Sequence, residues 1–290
     1  MFRYSCFGLA VHSEVEVPEL PELPPGDDEP DVTIRLGSVP PTTPRATLDE
    51  EIVFHDRAGA FHIRQGREIV IDPAPGAEPA LLRVLLSGRM MAYLLRQRGR
   101  LPLHASGIEI GKQAVLFLGD RGSGKSTTAA AFHARGHQVV TDDVGAVRVN
   151  EAGQCLLRPA GPRVRLLEDS RAAFDGVEPE GVSHWRKRLF DLTRGEQREL
   201  IQVCRIYLLD YGDDMGSERI PPVPAVAALS THSFIEHGRM NEAALAAHLR
   251  DCSSVARAVP VYRLFRPRSL AALPHLVRWV ETEIAAARTG

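Results

Sequence analysis

Residues 119–126, Gly119-Asp120-Arg121-Gly122-Ser123-Gly124-Lys125-Ser126, fit the phosphate-loop pattern G-x-x-x-x-G-K-[ST]. By average residue frequencies the pattern arises by chance in about one chain in a hundred of this length. Its flanks sharpen the signal. Ala114-Val115-Leu116-Phe117-Leu118 reads as a short apolar strand leading in, and the Ala-rich residues 125–135, closed by Gly136, read as a helix leading out. Glycines let the backbone turn tightly enough for its N–H groups to face phosphate oxygens, and the helix N-terminus adds partial positive charge. The nucleotide-binding set is therefore Gly119, Asp120, Arg121, Gly122, Ser123, Gly124, Lys125, Ser126 and Thr127, with ATP and Mg²⁺ as the expected cofactors. Lys125 reaches the β- and γ-phosphates, and the Ser126 hydroxyl sits on the metal.

Two further groups complete the chemistry. Gln138-Val139-Val140-Thr141 reads as a second strand ending in Asp142-Asp143, 16 residues beyond Ser126. A carboxylate at the end of a strand beside the loop strand can hold Mg²⁺, and a neighbouring one can take the proton of an attacking hydroxyl. Successive strand residues point to opposite sides, so one pair can serve both roles. The third group is His104, in Leu103-His104-Ala105-Ser106-Gly107 just before the loop strand.

Further out, the chain divides by pattern. Residues 1–78 read as a small β-rich N-terminal lobe, with strands at 31–36, 51–54, 60–63 and 68–71 and a Pro- and acid-rich surface loop at 18–30. Residues 79–290 read as an α/β kinase domain. Apolar residues at helical spacing predict a helix over 79–98. Residues 146–149 and 155–157 bracket Asn150-Glu151-Ala152-Gly153 as a hairpin, and 200–209 read as a central strand. Helices are expected over 223–234, 241–256 and 269–288, with a strand over 259–264.

Composition excludes several classes. Hydrophobic residues make up 44% and charged residues 25%, which suits a folded core. A net charge of −2 argues against general nucleic-acid binding. The dense basic run Arg186-Lys187-Arg188 is too short to change that. Cys6, Cys155, Cys204 and Cys252 show no CxxC or metal spacing and read as reduced thiols. No signal-peptide pattern and no run near the ~18 apolar residues of a membrane span occurs, so a soluble cytoplasmic protein is expected.

The three motifs in order resemble the HPr kinase/phosphorylase family. The stretches that carry the likeness are Pro102-Leu103-His104-Ala105-Ser106, then 119–127, then Arg135-Gly136-His137-Gln138-Val139-Val140-Thr141-Asp142-Asp143. The resemblance implies a core of the HPr kinase and phosphoenolpyruvate carboxykinase type and transfer of the γ-phosphate of ATP to a serine hydroxyl. It implies that His104 lies near the transferred phosphate, and that one of Asp142 and Asp143 is the base and the other a magnesium partner. Ser126 and Asp143 are the metal-side candidates. The segment Pro159-Ala160-Gly161-Pro162-Arg163-Val164-Arg165-Leu166 keeps arginines but lacks the family's Glu-x-Arg-Gly-type signature. The wider chain is similar to divergent members from peptide-modification clusters, including kinases of a lasso-peptide precursor serine. That likeness draws on Ser13-Glu14-Val15-Glu16-Val17-Pro18-Glu19-Leu20 and on Lys187. Arg163, Arg165 and Lys187 are the candidate cations for the transferred phosphoryl. The implied partner is a peptide or protein carrying the acceptor serine, with no nucleic acid and no membrane, and the family likeness is compatible with a homo-oligomer. Two other readings stay open: a kinase of a small hydroxylated molecule such as free serine, and a nucleotide-binding regulatory ATPase without transfer.

Overall fold

The structure is a computed structural model that describes residues 1–26, 29–161, 163–167, 181–182, 187–192 and 198–289. It is a mixed α/β protein. Residues 2–73 form a sheet of seven strands: β1 (Phe2–Cys6), β2 (Leu9–Ser13), β3 (Val32–Leu36), β4 (Arg45–Ala46), β5 (Glu50–His55), β6 (Gly59–Arg64) and β7 (Glu68–Pro73), in the order β1-β2-β3-β7-β6-β5-β4. The expected strands at 31–36, 51–54, 60–63 and 68–71 correspond to β3, β5, β6 and β7. The β1–β2 hairpin turns on Phe7 and Gly8, both left-handed, with φ of 53° and 67°. Such turns favour Asn and Gly. Phe7 occupies one nonetheless because its ring is buried and its N–H donates to Pro159 O at 3.0 Å, which docks the turn on the second sheet's chain.

The helix expected over 79–98 forms as α1 (Pro79–Leu85) and α2 (Met91–Gln97), joined by a π-helical turn, Leu86–Met90. Leu81, Leu82, Leu86 and Met90 to Leu95 pack into one cluster with Tyr4, Val11, Ile34, Phe61 and Ile69 of the first sheet and Val144 and Ala146 beyond it. Single π turns concentrate at functional sites. This one presents Gly88, where a Cβ would stand 2.9 Å from Asp143 Oδ2.

The second sheet has eight strands. β8 (Leu101–Ile110), β9 (Gln113–Leu118), β10 (Gln138–Thr141), β11 (Val144–Val149) and β12 (Cys155–Arg158) come first, with α3 (Lys125–Ala134) between β9 and β10. A separate three-stranded sheet follows, of β13 (Arg163–Leu167), β14 (Gly181–Val182) and β15 (Lys187–Asp191). β16 (Ile201–Tyr211), β17 (Gly216–Arg219) and β18 (Val261–Arg266) complete the large sheet, with α4 (Pro222–Thr231) and α5 (Glu242–Ala258) before β18 and α6 (Leu273–Thr289) after it. Along β9, Val115 and Phe117 join the cluster of α3 and α6, whereas Ala114, Leu116 and Leu118 join that of α4 and α5. Covered on both faces, this strand reads as a continuous apolar run. Among the described residues no helix is long and apolar enough to cross a membrane.

Two expectations need correction. The strand that ends at Asp142 does not lie beside the loop strand: β8 runs between them, antiparallel to both. The His104 segment is itself that strand, ten residues long, a role its sequence hides behind Pro102 and Gly107. Pro102 is tolerated near the strand's start. Gly107 is required by crowding, since a Cβ there would meet Leu116 Cδ2 at 2.8 Å and Thr141 Cγ2 at 2.9 Å. The helix expected over 223–234 stops at Thr231, and the last helix begins at Leu273 after a 3-10 turn, Leu270–Ala272.

Gly107→Val should therefore overpack the centre of the sheet and lower stability by about 1–3 kcal/mol, measured by chemical unfolding. An unchanged midpoint would show that the neighbours yield freely.

Candidate active site

The loop 119–124 joins β9 to α3, with Gly119, Gly122 and Gly124 at φ of 148°, 87° and 86°. Lys125 is buried, and its Nζ donates to Gly119 O at 2.7 Å and Asp120 O at 3.1 Å. The loop is held from outside by residues the sequence did not single out. Arg266 Nη2 donates to Ser123 O at 2.8 Å, and Tyr211 Oη donates to Gly122 O at 3.2 Å. Tyr211 ends β16, which pairs with β9, and Arg266 ends β18 on the other edge of β16. Ser123 Oγ is buried with no hydrogen-bond partner. A left-handed glycine cradle with an unspent hydroxyl fits a phosphate group.

Strand β8 places the loop and the aspartates at one point. Leu118, the last residue before the loop, pairs with Ala105 on one edge of β8. On the other edge, Thr141 pairs with Gly107 and Val144 with His104, so Asp142 and Asp143 lie opposite Ser106 and Ala105. Two strand spacings, roughly 9.5 Å, separate the two backbones there. Asp143 adopts φ of 73°, a conformation uncommon outside glycine but tolerated by Asp, and this breaks the strand at the pair.

The carboxylates have different neighbours. Asp142 Oδ1 accepts from the buried Ser106 hydroxyl at 2.5 Å, and Oδ2 accepts from Arg165 N at 3.3 Å. Asp143 Oδ2 pairs with Arg165 Nη2 at 2.7 Å, and Oδ1 lies 3.1 Å from His104 Nδ1. His104 Nδ1 also faces Asp143 O at 3.2 Å. Both partners of Nδ1 are acceptors, so that nitrogen carries the hydrogen and Nε2 is the free end of the ring. Thus His104, Asp142, Asp143 and Arg165 form one connected group. The structure gives no contact between Ser126 and either aspartate.

Arg163 Nη1 donates to Pro18 O and, at 3.0 Å, to Leu20 O, tethering the 18–20 loop of the first sheet, and the residue lines the same cavity as Asp142 and Arg165. Lys187 begins β15, where its backbone pairs with Leu167; its side chain lies outside the described residues. Among the described residues no group of three His, Cys, Asp or Glu converges on a metal position. That donor set suits Mg²⁺ held mainly through phosphate oxygens, with one or two carboxylates, better than a metal caged by protein.

The segment after α4 also reaches the site. His232 O accepts from His104 N at 2.6 Å, and the Phe234 ring meets His104 edge-on at 5.4 Å between centroids. His232 Nδ1 lies 4.0 Å from Asp120 Oδ1. A continuous helix through 234 would have kept these residues away from β8. Burial, with Lys125 and His104 adding positive charge nearby, lowers the His232 pKa below the ordinary histidine value, against the pull of Asp120.

A histidine lowered in the folded state binds fewer protons than its unfolded counterpart, so stability falls as pH drops below about 6.5 and through the folded value. His232→Asn should flatten that part of the stability–pH curve, as read by thermal melts; an identical slope would remove His232 from the acid sensitivity. Ser106→Ala, by removing a hydrogen bond to a carboxylate, should lower stability by about 1.5–3 kcal/mol in the same assay.

Known proteins resemble part of the chain. HPr kinase/phosphorylases from three strains of Streptococcus thermophilus are each 33% identical to it over 125 residues, covering 40% of this chain and 40% of theirs. The chain thus aligns with less than half the length of these curated relatives. No family model matches it. The solved structure of the Hpr(Ser) kinase/phosphatase from Coxiella burnetii superposes with a TM-score of 0.34 and 18% identity, over 65% of this chain and 96% of that one. The aligned segment makes the chain a distant relative of the HPr kinase/phosphorylase family.

Proposed function

We propose that the chain is an ATP-dependent kinase that transfers the γ-phosphate to a serine hydroxyl of a peptide or protein, on a core of the HPr kinase and phosphoenolpyruvate carboxykinase type. The observation that carries the reading is the meeting of the glycine loop and the Asp142–Asp143 pair on the two edges of β8 at Ala105 and Ser106. A binding protein needs the loop alone. A phosphotransferase also needs a base and a cation, the roles read here for Asp142, His104 and Arg165. The distant relationship to HPr kinase/phosphorylases supports the same class.

The residues divide the work as follows. Backbone N–H groups of the loop, with Lys125 and the hydroxyls of Ser126 and Thr127, hold the phosphates. Ser126 and Asp143 are the metal-side ligands. Bound there, magnesium-ATP supplies the phosphoryl group, its γ-phosphorus joining the acceptor oxygen as the bond to the β–γ bridging oxygen breaks. Asp142 takes the hydroxyl proton. It accepts from the Ser106 hydroxyl and from the Arg165 backbone N–H, and it lines a cavity. Asp143 is held by His104 and Arg165. Arg165, and His104 in the form that carries a proton on both ring nitrogens and donates from Nε2, stabilise charge on the phosphoryl oxygens. The first 78 residues act as a lobe beside this core.

The test is phosphate transfer to a panel of serine peptides, HPr protein and free serine, read by intact mass spectrometry. Phosphopeptide should form with the wild type and vanish with Lys125→Ala. Asp142→Asn should keep nucleotide binding and lose about 10²–10⁴-fold in kcat, whereas Asp143→Asn should weaken magnesium-dependent ATP binding. Transfer that survives Lys125→Ala would refute the loop's role, and ATP turnover with every acceptor unmodified would favour a regulatory ATPase.

A further inference from the structure

We infer that the acceptor reaches Asp142 through a channel walled by the first sheet's β1–β2 hairpin, and that its occupant is a peptide chain. The inference rests on the kinase reading above and extends it to the acceptor.

Two cavities share a wall. The inner one, about 40 Å³, is lined by Asp142, Arg165, Ser87, Glu19 and Leu20, and so spans the base, the π turn and the 18–20 loop. The outer one, about 320 Å³, is lined by Ser5, Gly8, Pro21, Arg198 and Glu199. Phe7, Ala160 and Gly161 line both. The path from the outer surface to the base therefore passes the hairpin tip, whose left-handed Phe7 is fixed by its bond to Pro159 O. Non-glycine residues held in this conformation cluster at ligand sites, where the surrounding structure maintains them.

The sizes decide between a free amino acid and a chain. One water needs roughly 10–15 Å³ of such space, so the inner cavity admits only a few heavy atoms, enough for the serine hydroxymethyl and a neighbouring polar group. The outer cavity falls at the low end of the roughly 300–1,000 Å³ found for ligand pockets, far more room than the rest of free serine needs. The chemistry agrees. Arg165 Nη1 and Glu19 Oε2 are buried without hydrogen-bond partners, one a donor and one an acceptor. A peptide unit next to the acceptor serine offers one C=O and one N–H to match them. Further out, Arg198, which is ion-paired with Glu109, and the exposed Glu199 give the outer cavity charges of both signs.

The test uses the full chain with magnesium-ATP and a pool of decapeptides that carry a fixed central serine and a benzophenone at one end. Photo-adducts mapped by mass spectrometry should fall on residues 5–8, 159–161 and 198–199. Ser5→Trp, which narrows the outer cavity, should raise the pool's KM by ~10-fold or more with kcat within about twofold, while Ser5→Ala stays close to wild type. Adducts confined to other surfaces, no adducts, or an unchanged KM in a folded Ser5→Trp protein would overturn the channel. Phosphorylation of free serine with no peptide modified would overturn it too, yet leave the kinase reading standing. That reading fails separately, if no acceptor is phosphorylated while peptides still crosslink in the channel. Should Ser5→Trp not fold, the wild-type adduct map decides alone.

Discussion

The site depends on the pairing of β8 with strands on both of its edges. Ala105 is in register with Leu118 on one side and faces Asp143 on the other, its N–H donating to Asp143 O at 3.3 Å. Every catalytic candidate is measured from this residue. Moving the register of either neighbour by one would turn its side chains to the opposite face and separate the loop from the carboxylates. The apolar faces of β9 prevent such a slip, because Phe117 and Leu116 are locked into clusters on opposite sides of the sheet.

Around this centre, the fold commits several unusual backbone features to the aspartates. Asp143 is left-handed, the helix above it carries a π turn, and Gly88 in that turn leaves space for the Asp143 carboxylate. Each feature is mildly unfavourable by itself, and together they place two adjacent carboxylates in different surroundings. Asp142 keeps a hydroxyl and a backbone N–H, whereas Asp143 is clasped by His104 and Arg165. The proposed division of labour between base and metal partner draws on those contacts. The first sheet belongs to the same construction, because its hairpin tip and its 18–20 loop close over the side of the site where Asp142 is exposed to a cavity.

Much of this was legible in residue types. The loop motif and the paired aspartates stood out because their chemistry demands particular residues at short spacing, whereas His104 was singled out through the family resemblance. The apolar strand 114–118 was legible because burial on both faces leaves no polar position. The sheet's order was not. Residues 101–110 contain Pro102 and Gly107, and local propensity argues against a strand, whereas crowding by Leu116 and Thr141 demands the glycine. The same limit hid the outer supports of the loop. Arg266, Tyr211 and His232 arrive from 80 or more residues away, and no local spacing connects them to residues 119–125. Arg163 shows the same limit: its position among arginines suggested a phosphate contact, and its bonds to Pro18 O and Leu20 O were not legible from the sequence.

The central claim is that the two edges of β8 meet on one metal-bound nucleotide. Electron paramagnetic resonance of Mn²⁺ in place of Mg²⁺ tests it directly, by comparing the wild type and Asp143→Asn in the presence of ATP. The account predicts phosphorus hyperfine coupling in the wild type and a metal environment that changes, with weaker binding, when Asp143 loses its charge. Identical spectra and affinities in the two proteins would contradict it, because the carboxylate pair would then stand apart from the nucleotide that the loop holds.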